Sequence, residues 1–179
     1  MVYIIFLSLI NPFLNNSARE WLDLHDKIFS MGIIRVTKEF SFEMSHVLHN
    51  YDGPCRNVHG HSYRLFVTVA GTPGSDENDP KLGMVIDFGD LKRIVSEEIV
   101  EKFDHSVVLS THQPEEKRKL FKSLFGNTVV VGYQPTCENM VADFASKIIK
   151  RLPPGVLLHS LKLYETATSY AEWFAGDNR

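Results

Sequence analysis

The chain has 179 residues, 44% of them hydrophobic and 23% charged, which is one domain's worth of ordinary globular composition. A formal net charge of −3 gives no electrostatic case for nucleic acid or an anionic membrane as partner, though a local basic cluster could still hold a small anion. Two cysteines, Cys55 and Cys137, are too few for a disulfide framework and point to metal or catalytic use in a reducing, cytoplasmic setting.

Val2–Ile10 is apolar but ends at Asn11-Pro12, far short of a membrane span and without the flanks of a signal peptide. Ser17-Ala-Arg-Glu20 reads as a capping box for a short helix carrying Trp21, Leu24 and Ile28 on one side. A fresh start follows at Met31-Gly32. Residues 1–30 are therefore expected to be an N-terminal extension, or an over-called start, and 31–179 the working domain.

From Ile33 the pattern is extended. Ile34, Val36, Lys38, Phe40 and Phe42 alternate with Arg35, Thr37, Glu39 and Ser41, a half-buried strand running toward His46. Asn50-Tyr-Asp-Gly-Pro54 supplies turn chemistry, and His61–Ala70 is a second strand rich in aromatic and β-branched residues. Antiparallel pairing would bring His46 beside His59 and His61 at one end of the hairpin. His59 and His61, two apart, leave the same face of a strand. Three imidazoles suit Zn²⁺ and leave its fourth tetrahedral position open, which is the catalytic arrangement. Cys55 is close enough to be either a fourth ligand, closing a structural site, or a neighbouring acid–base group.

Gly71–Leu82 is a polar loop. Asp87 or Gly89-Asp90 starts a helix with Leu91, Ile94, Val95 and Ile99 as its apolar stripe, ending near Phe103-Asp104-His105. Residues 111–132 read as an insertion, with a charged helix from Pro114 and a short strand at Thr128–Val131. Phosphate binding by Lys117, Arg118 or Lys119 is a minor reading beside a solvated face. Thr136 caps a second helix with Met140, Val141, Phe144, Ala145, Ile148 and Ile149 inward, stopped by Pro153-Pro154-Gly155. Strands at Leu157–Thr166 and Ser169–Phe174 close the chain, with Leu157, His159, Leu161, Leu163 and Glu165 in one phase. The order ββααββ predicts an α+β fold: a four-stranded antiparallel sheet with both helices on one face, and edges that invite oligomerisation.

Phe42-Glu-Met-Ser-His46, Cys55-x-x-x-His59-Gly-His61, Asp104-His105 and Tyr164-Glu165-Thr166 together resemble the 6-pyruvoyl-tetrahydropterin synthase family, over about residues 31–179. Within it the three-residue gap between Cys55 and His59 looks most like the bacterial 6-carboxy-5,6,7,8-tetrahydropterin synthases of queuosine biosynthesis. The resemblance implies a tunnelling fold (T-fold) whose sheets join into a barrel, as a hexamer or tetramer with active sites at subunit interfaces. It implies that His46, His59 and His61 hold Zn²⁺ and that 7,8-dihydroneopterin triphosphate is the substrate, a lyase reaction releasing acetaldehyde and triphosphate with no redox cofactor. Cys55 becomes the proton-abstracting base, His105 with Asp104 a proton relay, and Glu165 the pterin anchor; Thr136 and Glu138 border the pocket. Two alternatives accompany this reading: the sister 6-pyruvoyl activity, and a non-catalytic zinc-stabilised pterin-binding oligomer. The leader 1–30 and the long segment near 111–132 depart from the family pattern, so triphosphate contacts do not carry across.

Overall fold

A computed structural model describes residues 32–178; the expectations for residues 1–30 lie outside the described residues. The frame is one long hairpin. β1 (Ile34–His46) pairs antiparallel with β2 (His59–Gly71) along its whole length, from Ile34↔Gly71 to His46↔His59. Alternation sets the register: Phe40, Phe42 and Met44 are buried against Tyr63, Leu65, Val67 and Val69, while Glu39, Ser41 and Glu43 face out. Slipping by one residue would turn every one of these side chains to the wrong face.

The sheet is larger than the sequence pattern predicts. Six strands lie in the order β4-β3-β1-β2-β5-β6, with β3 (Ser106–Ser110), β4 (Thr128–Val131), β5 (Leu157–Tyr164) and β6 (Tyr170–Phe174). β3 runs parallel to both β1 and β4, so the sheet is mixed rather than antiparallel. All five residues of β3 are buried, and a strand covered on both faces shows no alternation to read.

The first helix begins as α1 (Phe88–Val95), capped by Asp87 accepting from the Gly89 amide at 2.6 Å. It continues through a π turn (Ser96–Val100) into a last α turn (Glu101–Phe103). α2 (Glu115–Leu124) follows β3, and α3 (Cys137–Ile149) follows β4. The α1 and α3 helices pack on one face, where Phe42 stacks on Tyr63 at 5.3 Å and Phe144 meets Phe42 and Phe103 edge-on. Each such fully buried side chain contributes about 1.5–3 kcal/mol.

α2 corrects the expectation of helices on one face only. Its Phe121 packs with Val47, Val107 and Leu109, a second cluster, while Val108 between them faces the main core. Two apolar positions also fall outside. Ile149 ends α3 half exposed, and Leu157 is 68% exposed where Leu158 is 5%. The reason at Leu157 is a bulge: Thr68 pairs Ser160 but Val69 pairs Leu158, so the phase of β5 shifts by one. Downstream of it Leu161 and Leu163 point inward as the alternation requires, and Glu165 just beyond β5 keeps their phase.

Candidate metal centre and active site

The hairpin end puts His46 opposite His59, with His61 two residues further along the same face. One ring nitrogen from each lies within 4.8 Å of the other two. Their hydrogen bonds fix what those nitrogens offer. His46 Nδ1 lies 2.7 Å from the Pro135 carbonyl oxygen and His59 Nδ1 lies 2.9 Å from that of Asn57. A carbonyl only accepts, so Nδ1 carries a proton in each ring and the neutral tautomer leaves Nε2 a bare lone pair. Those two Nε2 atoms are 3.1 Å apart, and His61 Nε2 is buried without a partner.

Two lone pairs facing each other at that distance repel unless a cation lies near both. A tetrahedral zinc with its usual bonds would set ligand nitrogens roughly 3.3 Å apart, so the donor set fits such an ion. Burial lowers the pKa of His46 and His61, which keeps both neutral and able to ligate.

Glu165, in the turn from β5 to β6, closes the other side. Its Oε1 accepts from the Tyr63 hydroxyl at 3.1 Å and lies 3.7 Å from His46 Nε2 and 4.0 Å from His61 Nε2. Burial first, and then the Glu165 carboxylate, pushes the Tyr63 phenol far above its ordinary range, so it stays protonated and donates. A carboxylate held by one oxygen keeps its second oxygen for a ligand.

Cys55 sits in a 3-10 turn (Pro54–Arg56) of the loop between β1 and β2, half-buried. Its carbonyl accepts from the Leu48 amide at 3.0 Å, which draws the loop back over the hairpin end. Among the described residues the metal-ligating group comprises the three histidines alone, which favours an open site over a closed Cys-His₃ one. Cys137 differs. It is buried, with Sγ donating to the Leu163 carbonyl, and burial pushes its thiol up to about 12.

Among the described residues no hydrogen bond or ion pair joins Asp104 or His105 to this cluster, although His105 shares a cleft with His61. His105 follows the helix end at φ 54°, its amide donating to the Glu43 carbonyl and its side chain 81% exposed. Asp104 Oδ1 accepts from the Glu43 amide at 2.8 Å, while its Oδ2 stands 3.9 Å from His105 Nε2, outside hydrogen-bond range. His105 lines a cleft of about 370 Å³ with Glu43, Ser45 and Ser62, whose side chains alternate with the metal-side positions, but His61 and Met44 line the same cleft, so it reaches the edge of the histidine cluster. Thr136 caps α3, accepting from the Asn139 amide at 3.4 Å, one residue beyond the carbonyl that orients His46. Glu138 is exposed in the first turn of that helix.

Tyr63 and the Pro135 carbonyl hold Glu165 and His46 in place by hydrogen bonds that sequence reasoning missed. Tyr63 could have been found, being in phase with His61 and in front of an apolar run. A backbone carbonyl carries no sequence signal.

Residues 35–175 match the 6-pyruvoyl tetrahydropterin synthase family profile. Curated relatives include a 6-carboxy-5,6,7,8-tetrahydropterin synthase of Haemophilus influenzae, 35% identical over 79% of this chain and 99% of its own. A 6-carboxy-5,6,7,8-tetrahydropterin synthase of Synechocystis is 33% identical over 78% and 92%. A 6-pyruvoyl tetrahydrobiopterin synthase of Pongo abelii is 32% identical over 74% and 85%. In fold, the chain is similar to the 6-pyruvoyl tetrahydropterin synthase of Caenorhabditis elegans, with TM-score 0.59 and 24% identity over 82% of this chain and 99% of that one.

Proposed function

Because the chain belongs to the 6-pyruvoyl tetrahydropterin synthase family, we propose that it is a zinc-dependent lyase. It converts 7,8-dihydroneopterin triphosphate to 6-carboxy-5,6,7,8-tetrahydropterin, with release of acetaldehyde and triphosphate. The observation that carries this reading is the convergence of three histidine nitrogens, two of them fixed as bare lone pairs, beside a carboxylate held by Tyr63. The bacterial relatives bearing the 6-carboxy name, and the three residues between Cys55 and His59, favour that product over the 6-pyruvoyl one.

His46, His59 and His61 hold Zn²⁺, which as a Lewis acid makes a substrate hydroxyl more acidic. Glu165 anchors the pterin, its free oxygen accepting from the amino-pyrimidine edge. Cys55 takes a proton from the substrate side chain as general base; a thiol beside a cationic centre is more readily ionised. His105, backed by Asp104, carries protons to and from the substrate. Since the His105 side chain is 81% exposed and makes no hydrogen bond or ion pair with the histidine cluster of its own chain, it serves the site of a second copy, and oligomerisation completes the active site. Thr136 and Glu138 border the pocket from α3. Residues 31–179 are the catalytic domain and residues 1–30 an extension, while α2 and β4 are the insertion near 111–132.

The test is direct. Zinc-loaded protein incubated with 7,8-dihydroneopterin triphosphate should yield 6-carboxy-tetrahydropterin and acetaldehyde by mass spectrometry. A 6-pyruvoyl product would move the chain to the sister activity, and recovery of unchanged substrate would leave a binding protein rather than an enzyme.

A further inference from the structure

A second cleft, of about 440 Å³, opens between the β1–β2 loop and the start of α2, within the size range of ligand sites, roughly 300–1,000 Å³. Its walls are His49, Asn50, Arg56, Asn57, Gln113 and Lys117, with apolar Leu48 and Pro114 between them. No carboxylate is on that lining; besides the Tyr51 phenol, its ionisable groups are basic. Of the two acids that open α2, Glu115 is taken by Lys119 at 2.6 Å and Glu116 precedes Lys117 without pairing to it; among the described residues neither Arg56 nor Lys117 has a carboxylate within salt-bridge range.

Two further features mark the cleft as built rather than incidental. Gln113 is 2% exposed, and its Nε2 has no partner while its Oε1 faces His49 Nδ1 at 3.4 Å. A buried amide left without a partner costs free energy that a ligand acceptor would recover. His49 is clamped from behind: its amide donates to Gln134 Oε1 at 3.0 Å, and its carbonyl accepts from Gln134 Nε2 at 2.9 Å. The cleft also shares its walls with the metal centre. His49 lies three residues past His46, Arg56 follows Cys55, and the Asn57 carbonyl orients His59 at 2.9 Å.

The geometry points to this cleft as a polyphosphate subsite, with Arg56 and Lys117 pairing the phosphate oxygens and Gln113 and Asn57 offering amide donors. This inference rests on the function proposed above and deepens it. A substrate whose reacting hydroxyls sit at the histidine cluster extends its triphosphate past Cys55 into the adjoining cleft. The leaving group is then held by α2, the element in which this chain departs from the family pattern. Arg supplies a planar fork and Lys a point charge, the two usual ways of holding phosphate.

The probe is inorganic triphosphate, titrated calorimetrically at fixed ionic strength into zinc-loaded and metal-free protein. Arg56→Ala and Lys117→Ala should each weaken binding roughly tenfold or more, the usual scale for losing a charge-assisted contact, in both metal states. Lys119→Ala, which removes a cation engaged by Glu115 outside the cleft, should leave binding within about twofold of the parent. A phosphate-free pterin should bind all three variants and the parent alike. Unchanged triphosphate affinity in Arg56→Ala and Lys117→Ala, equal weakening in Lys119→Ala, or binding seen only through zinc overturns the subsite. Failure of turnover with this binding pattern intact would sink the lyase reading and leave the subsite standing; turnover with unaltered triphosphate affinity in the variants would do the reverse.

Discussion

Cys55 and Cys137 are the same chemical group in opposite surroundings. Cys137 is buried, bonded to Leu163 and held as a thiol up to about 12; Cys55 is half-buried in an exposed loop turn. Iodoacetamide at mild alkaline pH should therefore label Cys55 and spare Cys137, as peptide mass spectrometry would show; labelling of both at equal rates contradicts the burial. Cys55→Ala should keep its zinc and lose turnover by roughly 10²–10⁴, the usual worth of a positioned general base. Loss of the metal in that variant would instead make Cys55 a ligand. Tyr63→Phe separates packing from positioning. The ring contact with Phe42 survives, but Glu165 loses a hydrogen bond to a charged group, so KM should rise roughly tenfold with zinc content and kcat little changed. An unaltered KM would reduce Tyr63 to a core residue. The histidine trio was legible because strand periodicity is a strict two; the same phase reaches Tyr63, but a tyrosine in an apolar run reads first as core and so was passed over.

At the scale of elements, the connection from β4 into α3 does more than cap a helix. Pro135 orients His46, Gln134 grips both backbone groups of His49, and Thr136 starts the helix. Three consecutive residues thus tie the metal hairpin to the helix layer. Gln134→Ala should lower zinc affinity by roughly 10–100-fold, as removal of supporting contacts around metal ligands does, measured by chelator competition; an unaltered affinity would show that the hairpin holds its histidines alone. The Asp87 and Thr136 caps and the α1 and α3 stripes were readable because capping and a 3.6-residue period are local rules. β3 was not, since burial on both faces erases alternation. Nor was the turn of Leu157 to solvent, since the bulge in β5 depends on its pairing with β2 and leaves no mark in its own sequence.

At the scale of the whole molecule the two halves of the proposed site make no direct contact within one chain. The histidines and Glu165 share the face carrying α1 and α3, while the exposed His105 stands in a cleft walled by Glu43, Ser45 and Ser62 and reaching only the edge of the cluster at His61. The sheet ends in β4 on one side and β6 on the other, and open edges offer backbone groups for pairing with another copy. If each site draws Cys55 from one copy and His105 from a neighbour, two inactive variants can repair each other. Cys55→Ala and His105→Ala, each inactive alone, should regain activity when unfolded together and reassembled. In a one-to-one mixture a site is whole only when the copy giving Cys55 is the His105 variant and its neighbour is the Cys55 variant. Random assembly makes that about a quarter of sites. Recovery near that fraction, with no gain when the two are mixed without exchange of subunits, establishes a shared site. Absence of recovery after verified exchange places both residues in one chain's site and would require the Asp104–His105 turn to swing across the sheet edge.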